Sequence, residues 1–178
     1  KPLPCSPARA ASMAAFRASR FVWRAISSMI EIFWAISFIA DTVWHEVAYG
    51  KNAISHHGHH GNAVLSRFPI VAHENLDISA HAFESRGLLH CTIELGPGEP
   101  ALHCLNVHLG LFERGRKWQI HALCERIRAT VPDAAPLVIA GDFNDWRHKA
   151  NRLLVAELGV IEVFAAVRGR SARTFPSV

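Results

Sequence analysis

Apolar residues run almost unbroken from Ala25 to Ala40, with Glu31 inside the run, and beyond Asp41 they break into short stretches separated by turn residues. The long run falls short of the roughly 20 apolar residues that span a bilayer, so it reads as one buried or amphipathic helix. The Pro- and Ala-rich stretch before it, KPLPCSPARAAS, predicts a poorly ordered start. Gly61 to Ile70, Gly87 to Leu95, Ala101 to Leu109 and Pro136 to Ala140 are strand candidates. Gly96-Pro97-Gly98-Glu99-Pro100 joins the second and third by a linker of hairpin length, which predicts antiparallel neighbours with Cys91 and Cys104 on adjacent strands.

Between Arg116 and Val131 the pattern changes to helical spacing. Ile120, Leu123, Cys124, Ile127 and Val131 share one face, most of the charged residues take the other, and Pro132 ends the helix. A second helix is expected over Trp146 to Leu158, capped by Asp145 and closed by Gly159. The order of strands and helices predicts an α/β domain with parallel and antiparallel pairs over residues 41–178, preceded by a distinct segment, 1–40.

Composition narrows this picture modestly. A chain of 178 residues, 50% of them hydrophobic, has enough apolar content for one domain with a real core. Nineteen Lys and Arg against 15 Asp and Glu give a net charge of +4, which tolerates a phosphate-bearing partner without indicating nucleic acid. Cys5, Cys91, Cys104 and Cys124 lack Cys-x-x-Cys spacing and read as reduced thiols. No basic-then-apolar leader is visible, so a cytoplasmic location is expected.

Three segments carry candidate chemistry. In PLVIAGDFNDW an apolar strand delivers Asp142 and Asn144 at its carboxyl end, where α/β sheets place ligands, with Phe143 turned away. A carboxylate and an amide converging there can hold a hard cation and orient water or a phosphate oxygen; a turn that caps the next helix is the plainer alternative. In ALHCLNVHLGL, His108 ends a strand, suited to phosphate hydrogen bonding, to proton transfer or to a purely structural bond. In GHHGNAVLSRFPI, Asn62 and Arg67 flank a strand, and Arg67 suits either a phosphate or a surface carboxylate. His56, His57, His59 and His60 crowd one loop too closely for all to turn toward one zinc ion.

Taken in order, these segments resemble the endonuclease/exonuclease/phosphatase superfamily, closest to its small bacterial members, over Ile39 to Val178. The resemblance implies a four-layered α/β sandwich of deoxyribonuclease I-like type, two mixed sheets flanked by helices. It implies a Mg²⁺- or Mn²⁺-dependent phosphoester hydrolase in which a metal-oriented water attacks phosphorus in line. Asp142 and Asn144 take the metal- and phosphate-positioning roles, His108 contacts phosphate, and Asn62 and Arg67 line the substrate groove. Arg116 and Gln119 match the start of the helix after the histidine motif and are read as braces for the loop. The family's Gln-Glu pair and terminal Ser-Asp-His are not recognisable, so an incomplete domain and a catalytically inactive member form the alternative. The expected partner is a phosphoester: nucleic acid, phospholipid head group or sugar phosphate. No obligate protein partner is expected, and a peripheral membrane role through Ala25 to Ala40 is a third alternative.

Overall fold

A computed structural model describes residues 36–170 except Phe38, His56, His57 and Trp146. The start of the chain and most of the Ala25 to Ala40 run lie outside the described residues. Strands β1 (Glu46–Ser55) and β2 (Gly58–Ser66) form an antiparallel pair. Strands β3 (Ile70–Asp77), β4 (Gly87–Ile93), β5 (Leu102–His108) and β6 (Leu137–Asp142) form a second sheet in that order. Its first three strands are antiparallel and β6 runs parallel to β5. Helix α1 (Glu113–Thr130) makes the crossover between them, and α2 (Lys149–Leu158) and α3 (Val163–Arg168) follow. The expected α/β architecture of mixed sheets flanked by helices is present.

Side-chain alternation on the four-stranded sheet divides its apolar residues between two cores. Leu88, Leu105 and Val107 meet Ile120, Leu123, Cys124 and Ile127 of α1 and Leu154 of α2. Leu89, Cys91 and Ile93 point the other way and meet Ala48, Val64 and Phe68 of the two-stranded side. Burying each Leu or Ile of this kind contributes about 1.5–3 kcal/mol, so β4, buried along nearly its whole length, anchors both layers.

The Gly61 to Ile70 run is two elements, because Arg67, Phe68 and Pro69 break it between β2 and β3. Strands β1 and β3 were not among the sequence candidates; β3 is a mostly exposed edge strand whose apolar residues, Ile70, Val71, Ala72 and Leu76, do not alternate strictly with polar ones. Cys91 does pair with Cys104 across β4 and β5, and both are free thiols. Helix α2 starts at Lys149, later than expected, yet the Asp145 carboxylate still caps it by accepting from the N–H groups of Lys149, Ala150 and Asn151. Gly159, at φ +65°, closes it as expected.

Two polar devices tie the layers. Asn62 of β2, 6% exposed, donates through Nδ2 to Gly87 O and Asn106 O, each at 2.9 Å, and Asn106 returns a 2.8 Å bond to Ala63 O. On the other face, His90 Nε2 and His103 Nδ1 lie 2.9 Å apart, and Arg126 Nε donates to His90 Nδ1. Arginine only donates, so His90 Nδ1 accepts, its Nε2 carries the proton, and the pair is bonded as neutral rings. Burial, then the Arg126 charge, pushes His90 down to about 4; burial also lowers His103.

Replacing Asn62 with Ala leaves two inter-sheet carbonyls without their donor and should lower stability by about 1–3 kcal/mol, read from the urea midpoint. A second expectation concerns pH. The unfolded chain binds protons at histidine near pH 6.5 while folded His90 does not until about pH 4. Stability should therefore be full above pH 6.5 and fall as pH drops toward 4. Urea unfolding at a series of pH values should show a smaller slope in this window for His90→Asn; an unchanged slope would count against a neutral buried His90.

Candidate functional site

Parallel pairing of β5 and β6 sets His108 opposite Asp142 in register. Both lie at the carboxyl ends of their strands, on the face shared with Cys104 and Asn106 that turns toward β1 and β2. The residue before Asp142 must be glycine: Gly141 has φ +133°, and a Cβ there would sit 1.9 Å from Val107 O. Asp142 Oδ1 accepts the Asn144 N–H at 3.0 Å, and Asn144, at φ +47°, donates Nδ2 to Leu109 O at 2.8 Å. This local turn fastens the two motif loops to each other, while Phe143 packs into the helix-side core.

His108 Nε2 is 3.8 Å from Asp142 Oδ2 and 3.3 Å from Arg86 Nη1. The guanidinium must be the donor in the second contact, so Nε2 accepts and the imidazole is neutral, with its proton on Nδ1. The pKa agrees in direction: burial, then Arg86, lowers it below 6.5, and the Asp142 carboxylate opposes them. At neutral pH His108 and Asp142 are therefore a base beside a carboxylate and not an ion pair.

Arg86 and Glu84, which sequence reasoning missed, complete the cluster. Arg86 Nε lies 3.5 Å from Glu84 Oε1 as a partly buried ion pair, and Nε has no hydrogen-bond partner among the described residues. Glu84 Oε2 accepts from Ala80 N and from Gln119 Nε2. Gln119, fully buried, also accepts the Gly110 N–H at 2.8 Å, and Arg116 donates to Gly110 O and Leu111 O. The bracing expected of Arg116 and Gln119 is thus what the structure contains. The available signal for Arg86 was its place in Glu84-Ser85-Arg86-Gly87, a charged group poised just before a buried strand.

His60 of β2 also acts electrostatically on His108 and lines a cleft with Arg86 and Glu84. His59 instead bonds Tyr49 Oη at 3.0 Å. His56 and His57 lie outside the described residues. Asn62 reaches the neighbourhood but commits both N–H groups of its amide to the inter-sheet ties. Arg67 is not brought to the site. With His60 near His108, the chain moves away along β2, and seven residues at roughly 3.3 Å each put Arg67 about 20 Å off. There it stacks on the Phe68 ring at 5.5 Å.

The oxygens left for a cation are Asp142 Oδ2 and Asn144 Oδ1. Magnesium commonly takes one or two carboxylates and completes its shell with water and substrate phosphate, so this donor set fits a hydrated hard cation. Among the described residues no group of three or more His, Cys, Asp or Glu side chains is arranged to hold a metal.

A carboxylate and a neutral histidine at the carboxyl ends of two parallel strands, with an arginine from the loop before β4, form one polar cluster. The model of the endonuclease/exonuclease/phosphatase family matches residues 12–176. The uncharacterized protein YbhP of Escherichia coli (strain K12) is 50% identical over 139 residues, 78% of this chain and 54% of that protein. The chain belongs to this family of phosphoester hydrolases. It spans about half the length of the curated relatives it matches. Its fold is similar to the human Nocturnin catalytic domain with bound sulfate, at TM-score 0.61 and 16% identity over 74% of this chain and 54% of that one. It is likewise similar to sphingomyelinase C from Streptomyces griseocarneus, at TM-score 0.58 and 17% identity over 73% and 53%.

The electrostatics make a direct prediction. Arg86→Gln should raise the His108 pKa and Asp142→Asn should lower it, both followed by NMR titration of the imidazole. Two variants that leave the titration unmoved would show that neither charge acts on His108.

Proposed function

We propose that this protein is a Mg²⁺- or Mn²⁺-dependent phosphoester hydrolase whose centre is His108, Asp142 and Asn144, with Arg86 as an added phosphate-binding group. The observation that carries the reading is the register that sets His108 beside Asp142 while Arg86 reaches the same imidazole.

Asp142 and Asn144 would hold the cation through their side-chain oxygens. When bound, such a cation lowers the pKa of a coordinated water and offsets phosphate charge. Arg86 donates to a phosphate oxygen from a guanidinium kept in place by Glu84. Because Glu84 offsets Arg86, the described cluster is left with the negative charge of Asp142, which repels an anion. A cation on Asp142, or a proton on His108, removes that repulsion. Bound phosphate adds negative charge beside His108 and raises its pKa, so the histidine takes up a proton as substrate arrives and can hold it toward a phosphate or leaving oxygen. Asn62 supports this centre by fixing β2 against β5, and Arg67 has no part in it.

A second reading, phosphate binding without turnover, draws on the single free carboxylate among these residues. Turnover separates the two. With Mg²⁺, hydrolysis of bis(p-nitrophenyl) phosphate should be measurable, should stop on adding EDTA, and should fall by roughly 10²-fold or more in Asp142→Ala. Full activity in that variant would sink the proposed centre, and phosphate binding with no turnover would favour the second reading.

A further inference from the structure

Beside Arg86, which reaches His108, a cleft of about 340 Å³ opens between the β1–β2 hairpin, the loop before β4 and the loop after β5. Its rim is apolar where most surfaces are not: Phe83 is 99% exposed, Phe112 72% and Leu111 50%. Two loops distant in sequence bring these side chains to one edge, and Ala80 of the first packs close to Gly115 in the helix that follows the second. Large apolar groups left in water and gathered at one place mark a contact surface.

Immediately after Phe112, the outer face of α1 carries Arg114, Lys117 and Trp118, all exposed. Among the described residues, Arg114 and Lys117 have no ion-pair partner, whereas neighbouring Glu113 is neutralised by Lys149. Phenylalanine, leucine and tryptophan beside unpaired Arg and Lys suit the boundary between anionic head groups and acyl chains. Stacking on nucleobases would use the aromatic planes but not Leu111.

We propose that this rim docks on an anionic lipid surface and that the cleft receives a phospholipid head group, an inference that rests on the hydrolase reading above and names its substrate class. Phe83, Leu111 and Phe112 enter the acyl boundary, Arg114 and Lys117 meet the head groups, and the ester phosphate is presented to Arg86 and His108. No helix among the described residues is long and apolar enough to cross a membrane.

The test is sedimentation of the full chain with vesicles of phosphatidylglycerol and phosphatidylcholine, against phosphatidylcholine alone. Binding should require the anionic lipid, weaken with salt, and fall roughly tenfold or more in Phe83→Ser/Phe112→Ser. Circular dichroism checks that this double variant is folded, and Arg114→Glu/Lys117→Glu offers an independent loss of binding. Absence of vesicle binding, binding unchanged in both double variants, or retention of single-stranded DNA in place of vesicles would overturn the proposal. Asp142→Asn should still bind vesicles. Vesicle binding without hydrolysis of any phosphoester would therefore fault the hydrolase reading alone, and hydrolysis without vesicle binding would fault the lipid reading alone.

Discussion

Parallel pairing of β5 with β6 is the constraint on which the site depends, because its register sets His108 opposite Asp142. That pairing requires the backbone of Gly141 to pass within touching distance of Val107 O, which excludes any side chain at 141. It also requires a crossover long enough to carry the chain back along the sheet, a length that α1 provides. The helix then performs a second task. Its first turns send Arg116 and Gln119 back to Gly110 and Leu111, so the loop leaving His108 is held by the element it leads into.

Charge follows from the same geometry. Arg86 reaches His108 with Glu84 behind it, and Glu84 is held in turn by Gln119. One fully buried amide thus links the backbone beyond the histidine to the carboxylate that positions the arginine. A partly buried ion pair of this kind contributes little net stability, since desolvation offsets most of its attraction. Its consequence is directional: a guanidinium fixed against a neutral imidazole, whose basicity depends on what charge occupies the adjacent space.

Much of this was legible in the sequence where local rules governed. The α1 stripe, the β4–β5 hairpin and the Gly159 stop depend on periodicity and turn chemistry within a few residues. His108 and Asp142 were legible because apolar strands ending in polar groups announce a sheet's carboxyl edge. β3 was not, since its apolar residues do not alternate strictly with polar ones, and Arg67 lies beyond the end of β2 opposite His60. Arg86 and Glu84 were hidden for a different reason. Their relation to His108 spans two strands and a helix, and no local pattern encodes it.

The same long-range tie bears on how substrate contact and chemistry are coupled. Leu111 and Phe112 stand on the loop that Arg116 and Gln119 brace, two and three residues beyond Leu109, whose carbonyl accepts from Asn144. Phe83 stands next to Glu84 in sequence. A surface that presses on this rim therefore acts on residues directly joined to Arg86, to His108 and to the Asp142 turn. Where asparagine bonds join an apolar core in tying the two sheets, such contact would order the site as well as fill it, because the groups it touches are the ones that set the site's geometry.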